Sequence, residues 1–272
     1  MEFITIFLSG LLGLVSPAGW VIDRTAENAI RSQFENVEQL QVRVDNAPSY
    51  QLLQGKVERV RIAGRSLQLK RQELNIAALE LETDPIHLDP RSQGQRQPKL
   101  KRPFQAGVRL VLTQEHINQA LQSPQLAAKL RNINISAFSN FTNNPEQSYD
   151  FINPRVELLE NNRVHFQVEI QEHGNNVKLL KITVKSGLGI VAGRQIQLVE
   201  PAISVNGQVV SNQLISAIAT NLSQQLDLSN LEVYGLQARL LKLKVRQDEL
   251  EIAAFLRVEP SSRFLENSRL LI

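Results

Sequence analysis

The chain has no cysteine, so it can form neither a disulfide nor a thiolate metal site, and its redox compartment leaves no trace. Aromatic residues make up only 5%, with one tryptophan, Trp20, inside an apolar run near the start. That is poor material for a stacking platform under single-stranded nucleic acid. Charge of one sign is scarce too: 30 basic residues face 27 acidic ones, a net of +3. A nucleic-acid binder would carry a stronger or more clustered positive field. Also missing are the G-x-S-x-G elbow, the P-loop and the H-E-x-x-H helix. Acidic residues are abundant but form no evident pair. These absences argue against an enzyme and against nucleic acid as a partner, and they call for no cofactor or metal.

Two near-motifs fail on geometry. His165, Glu169 and His173 would share one strand face. At about 3.3 Å per residue they would be strung over roughly 26 Å, too far to meet at one ion. Gly187 to Gly193, "GLGIVAG", has dinucleotide-loop spacing but leads into the strand-like "RQIQLV" rather than a helix. A turn is expected there.

What is present begins with Phe3 to Ile22, twenty residues without a charge, interrupted by Gly10, Gly13, Pro17 and Gly19. The length suits a bilayer-crossing helix. No Lys or Arg precedes it, as a secretory signal would require, and Arg24 and Arg31 follow it. Residues 1–22 are read as a membrane-associated segment, with a buried helix or a cleaved signal as the alternatives. The side of the membrane is left open. Residues 23–272 follow as a single elongated domain, long enough to bury a substantial core.

Within that domain Ile22, Ala26, Ile30, Phe34 and Val37 recur at helical spacing behind Asp23. Strands are expected at 40–44, 57–62, 67–81 and 104–112. Thr113 is placed to cap a second helix carrying Ile117 and Leu121, and a third runs from Val210 to Leu226. Between them lies a meander whose Asn161-Asn162 turn tolerates positive φ. Val164, Phe166, Val168 and Ile170 alternate with polar residues after it.

One phrase is written twice. "RQELNIAALELETDP" at Arg71–Pro85 returns as "RQDELEIAAFLRVEP" at Arg246–Pro260. Leu67, Glu73, Leu74, Ile76, Ala77 and Ala78 recur as Leu243, Glu249, Leu250, Ile252, Ala253 and Ala254, each 176 positions on. The repeat, about 56–85 and 231–260, reads as two amphipathic hairpins, each needing cover for its apolar face. After Ala78 the first copy changes phase and the second does not, which points to a β-bulge. Strict alternation gives a candidate inward face of Leu74, Ile76, Ala78, Leu250, Ile252 and Ala254, joined by Val108 and Leu110 from 104–112. Basic residues concentrate in "RSQGQRQPKLKR", where Arg96, Lys99, Lys101 and Arg102 are candidates for lipid head groups, and on Lys242 and Lys244.

The segments "SYQLLQGKVERVRIAG" and "TQEHINQAL" and the duplicated "LNIAALELE" resemble the LmeA-like bacterial phospholipid-binding proteins, in what looks like their cyanobacterial form. The resemblance covers most of residues 23–259. It implies phospholipid and a membrane surface as partners and, more loosely, a tubular lipid-binding (TULIP-like) fold. The expected fold is therefore α+β: an elongated, curved antiparallel sheet wrapped around long amphipathic helices, in two related halves. The expected function is phospholipid binding in an apolar groove. The alternative is a membrane-tethered scaffold with no ligand.

Overall fold

The computed structural model describes residues 30–32, 34–45, 54–69, 75–89, 99–124, 149–172 and 179–262. In chain order its strands are β1 (Phe34–Asp45), β2 (Lys56–Val57), β3 (Arg59–Leu69), β4 (Asn75–Thr83), β5 (Ile86–His87), β6 (Phe104–Thr113), β7 (Tyr149–Leu159), β8 (Arg163–Glu172), β9 (Leu179–Val191), β10 (Gln195–Val205), β11 (Gln208–Val209), β12 (Leu236–Arg246) and β13 (Glu249–Val258). Helix α1 (Gln114–Leu121) follows β6, and α2 (Asn212–Gln225) follows β11. A 3-10 turn (Leu228–Tyr234) leads into β12.

Among the described residues strand accounts for 64%, and the helical segments are three and short. This corrects the expectation of long amphipathic helices inside a wrapping sheet. The physical reason is visible at Phe34 and Val37, which have helical spacing but lie in β1, opposite Leu69 and Leu67. A register shift between Phe34 and Asn36 inserts one residue. Two side chains three apart then share a strand face, which in the sequence is indistinguishable from one turn of helix.

The strands form two antiparallel sheets and a two-stranded flap of β2 and β5. One sheet has six strands in the order β1-β3-β4-β6-β13-β12; the other has five, β11-β10-β9-β8-β7. The repeated phrase occupies the hairpins β3–β4 and β12–β13, which flank β6 in the six-stranded sheet. The change of phase in the first copy takes the form of matched irregularities. Burial steps from Ile76 to Leu79 on β4 and from Gly64 to Leu67 on β3, and Ser66 between them has φ 50°. A Cβ at Gly64 would stand 2.7 Å from Leu67 Cδ1, so the buried Leu67 side chain would have to shift to admit one. In the second copy the extra residue falls on β12 instead, at Leu241.

Each sheet has its own core. The apolar face of the six-stranded sheet packs with Ile30, Ala120, the flap residues Val57 and Ile86, and Leu228 and Leu231 of the 3-10 turn. That of the five-stranded sheet packs under α2 through Ile215, Leu214 and Ile218. The long β9–β10 hairpin joins them, placing Ile190 and Ile196 against the first core and Ile182 and Ile203 in the second.

Side-chain amides stitch the strand edges. Both asparagines of the β7–β8 turn have φ 59°, as their spacing predicted. Asn162 Nδ2 donates to Leu188 O (3.2 Å) and Leu243 O (3.1 Å), and Val245 N–H donates to Asn162 Oδ1 (2.7 Å). A strand edge is otherwise a row of unpaired donors and acceptors. On the far side of the five-stranded sheet Gln114 and Asn118, one turn apart on α1, serve β7 in the same way. Val156 N–H donates to Asn118 Oδ1 at 2.7 Å and Leu158 N–H to Gln114 Oε1 at 2.7 Å. Thr113 caps α1 as expected, accepting from His116 N–H at 3.2 Å.

Candidate functional site

The residues expected on the inward face of the repeat do not all meet. Ile76 (1% exposed), Leu110 (3%) and Val108 (9%) are closed inside the first core. Ile252 and Ala254 are half-buried against it, and Leu250 is half-buried opposite Leu112. Ala78 is not on this face. It stands directly opposite Arg65 on β3 and Val111 on β6, and residues paired in this way project to the same side. Ala78 and Ala254 therefore lie on opposite faces although the phrase repeats, because β4 takes its extra residue between Ile76 and Leu79. Leu74 falls outside the described residues, as does Arg96.

The other face of the six-stranded sheet is charged. Glu251, 7% exposed, is held by Lys242 Nζ at 2.8 Å and Arg109 Nε at 2.8 Å, with Arg246 at 3.9 Å. Arg109 also bonds Glu80 at 2.9 Å. The hydrogen bonds from Lys242 and Arg109 hold the Glu251 carboxyl down to about 2. Lys242 is thus engaged within the protein, whereas the exposed Lys244 has no ion pair among the described residues. Two adjoining depressions of about 730 and 540 Å³ lie on this face and share Gln41, Ala63, Glu80 and Arg109 as lining. The larger is walled mainly by charged and polar side chains such as Arg65, Glu80 and Arg109, which suits a solvated surface; the smaller adds Leu81, Val108, Leu241 and Ala254 to Arg61, Glu82 and Arg109.

Lys99, Lys101 and Arg102 are exposed just before β6. Lys101 N–H donates to His87 O at 2.8 Å. Burial, then the positive charges of Arg102, Lys56 and Lys101, hold the His87 imidazole below its ordinary pKa. Lys101 and Arg102 therefore stand near Lys56 of the flap, whose ammonium is paired with Glu58.

The five-stranded sheet has a feature that sequence alternation alone did not bring out. Along β9 the even positions face one way: Ile182, Val184, Ser186, Leu188 and Ile190. On β10 the matching residues are Ile203, Leu198 and Ile196, paired with Val184, Leu188 and Ile190. Odd and even positions share a face because Glu200, at φ 47°, is an extra residue before Pro201. Strand β7 repeats the device at Asn153-Pro154, where Asn153 has φ 51°. Proline is tolerated in a sheet at such bulges, and each bulge bends and twists its strand. The signal was present in "NP" and "EP", each followed by a reversal of apolar phase, but a bulge is recognisable only once the partner strand is known.

Other expected sites resolve into structure. His165 Nδ1 lies 3.1 Å from Glu157 and its Nε2 3.0 Å from Gln167. Gly187 and Gly189 lie in β9 rather than in a turn, which is confined to 192–194. They are small because Val199 packs over them: a Cβ on either would stand 3.2 Å from its side chain. Among the described residues no three His, Asp or Glu side chains gather as metal ligands.

A model of the LmeA-like phospholipid-binding family matches residues 14–255, nearly the whole chain. The chain belongs to the LmeA-like phospholipid-binding family. No curated protein and no solved structure matches it. Family membership suggests lipid binding and association with membranes. Among the described residues no helix is long and apolar enough to cross a bilayer, and residues 1–22 lie outside them.

Proposed function

We propose that this LmeA-like chain is a phospholipid carrier, holding acyl chains against its apolar sheet faces in the service of lipid transfer or membrane maintenance. The observation that supports this most is an apolar face continued from one sheet to the other by the β9–β10 hairpin, in a member of a phospholipid-binding family. Each methylene withdrawn from water contributes about 0.8 kcal/mol. A diacyl lipid with roughly thirty methylenes would therefore cost about 24 kcal/mol to bring bare into water. Transfer from a bilayer to an apolar protein face is nearly neutral, so loading and unloading are both accessible.

Among the described residues, the exposed Lys101, Arg102 and Lys244 are cations that can meet anionic head groups, and residues 1–22 provide the membrane anchor in this reading. Deleting 1–22 would then release a folded remainder from membranes. Aggregation with loss of the circular dichroism signal would place the segment in the core instead. Native mass spectrometry of the full chain purified in mild detergent should show added masses of phospholipid, and a ligand-free mass in every preparation would remove the reading. A second reading, a membrane-tethered scaffold without ligand, is favoured by the tight enclosure of Ile76 and Leu110.

A further inference from the structure

We infer that the acyl chains are seated on the five-stranded sheet, along Val164, Phe166, Val184, Leu188 and Leu198, rather than against the apolar face of the six-stranded sheet. This rests on the phospholipid-binding reading above and gives it a location. The five side chains share the apolar face of β8, β9 and β10: Phe166 pairs with Val184, and Leu188 with Leu198. All five are half-buried. The strip is bounded at both ends by well-covered residues. At one end Val168, Ile170, Ile182 and Ile203 lie in the core with α2. At the other, Ile190 and Ile196 pack against the first core. What remains between is half-covered apolar surface: Phe166 and Val184 pack in part against the second core, and the part left facing water is unfavourable.

The chemistry of the strip selects the occupant. Its single polar side chain, Ser186, is fully buried. The Ser186 hydroxyl engages Gly187 O (2.8 Å) and Val199 O (3.0 Å), so it is turned to its own backbone. No donor or acceptor on the strip is offered to a ligand, which suits a hydrocarbon chain and gives a peptide or a polar metabolite nothing to bond. Length agrees as well. Between the covered ends, Val184 and Leu188 are four residues apart on β9 and so span about 13 Å. An acyl chain in one leaflet occupies half of a hydrocarbon core of about 30 Å.

The test uses the full chain and phosphatidylglycerol with two C16–C18 acyl chains as the probe, added in mild detergent and counted by native mass spectrometry. Leu188→Trp and Leu198→Trp fill the strip without adding charge. Each should lower the bound phosphatidylglycerol at least fivefold, with the melting temperature within a few degrees of the parent. Ala254→Trp, against the first core, should leave lipid content unchanged. If the parent binds phosphatidylglycerol and both strip variants bind it undiminished, the location is overturned while the phospholipid-binding reading stands. Cooperative unfolding lost in both strip variants would mean the space is already filled by protein, which also overturns the location. A parent that takes up no phosphatidylglycerol would remove the reading and the location together.

Discussion

The two sheets use the same covalent device, an inserted residue, to opposite ends. In the six-stranded sheet the matched irregularities at Ser66 and near Ala78 let apolar side chains stay on the covered face. That face closes, with Leu79 and Leu67 at 0% exposure. In the five-stranded sheet the insertions at Asn153 and Glu200 keep Val156 and Leu198 on the apolar face, yet its centre stays half-covered. The second face of the six-stranded sheet carries an ion-pair network around Glu251, while that of the five-stranded sheet carries dispersed polar residues such as Gln167, Thr183 and Lys185. The difference suggests a division of labour: one sheet holds the molecule together, and the other is free to hold something else.

The comparison is sharpest for leucine truncation. Leu110→Ala should lower stability by about 2–5 kcal/mol, because a closed core retains the cavity. Leu188→Ala should lower it by less than about 1.5 kcal/mol, since a half-covered side chain loses less burial. Denaturant unfolding of both variants measures the gap, and equal losses would erase the distinction between the sheets.

Glu251 gives a titration to follow. Its carboxyl is depressed from 4.5 to about 2, so the stability it confers is complete above pH 4.5 and is lost as the pH falls from 4.5 toward 2. The full shift corresponds to roughly 3 kcal/mol at most. Glu251→Gln should flatten the acid limb of the stability profile, and a variant that keeps the parent's slope between pH 4.5 and 2 would show that other carboxylates set it.

The joint between the sheets should be weaker but measurable. Asn162→Ala leaves the Val245 N–H without its partner and frees Leu188 O and Leu243 O, for a loss of about 1–3 kcal/mol. An alanine at φ 59° adds strain, which Asn162→Gly would relieve. If Asn162→Gly fully restores stability, backbone conformation and not the amide bridge is what holds this edge.

The smallest effect is expected at the basic end. Lys101→Gln with Arg102→Gln should weaken binding to anionic vesicles by about 1 kcal/mol per residue and reduce its salt dependence. Vesicle sedimentation at two salt concentrations decides it, and unchanged binding at low salt would leave membrane contact to another part of the chain.

Much that is local was legible in the residues alone. The turn at Asn161-Asn162, the Thr113 cap, the helix after Ser211, the repeated hairpin and the family all follow from short-range pattern, because turn chemistry, capping and alternation act within a few residues. Tertiary structure decided which way each strand faces. A strand has period two, so one inserted residue reverses every side chain beyond it, as at Ala78, Val37 and Leu198. Whether an insertion is a bulge or a turn of helix depends on a partner strand that can be far away in the chain. The same distance hid the engagement of Lys242, whose acid partner is on the adjacent strand, and of Arg109, whose partner Glu251 is 142 residues away. Coverage lies further still from local pattern: Phe166 and Val168 are written alike in one alternating strand, yet Val168 is closed inside the second core while Phe166 is only half-buried against it.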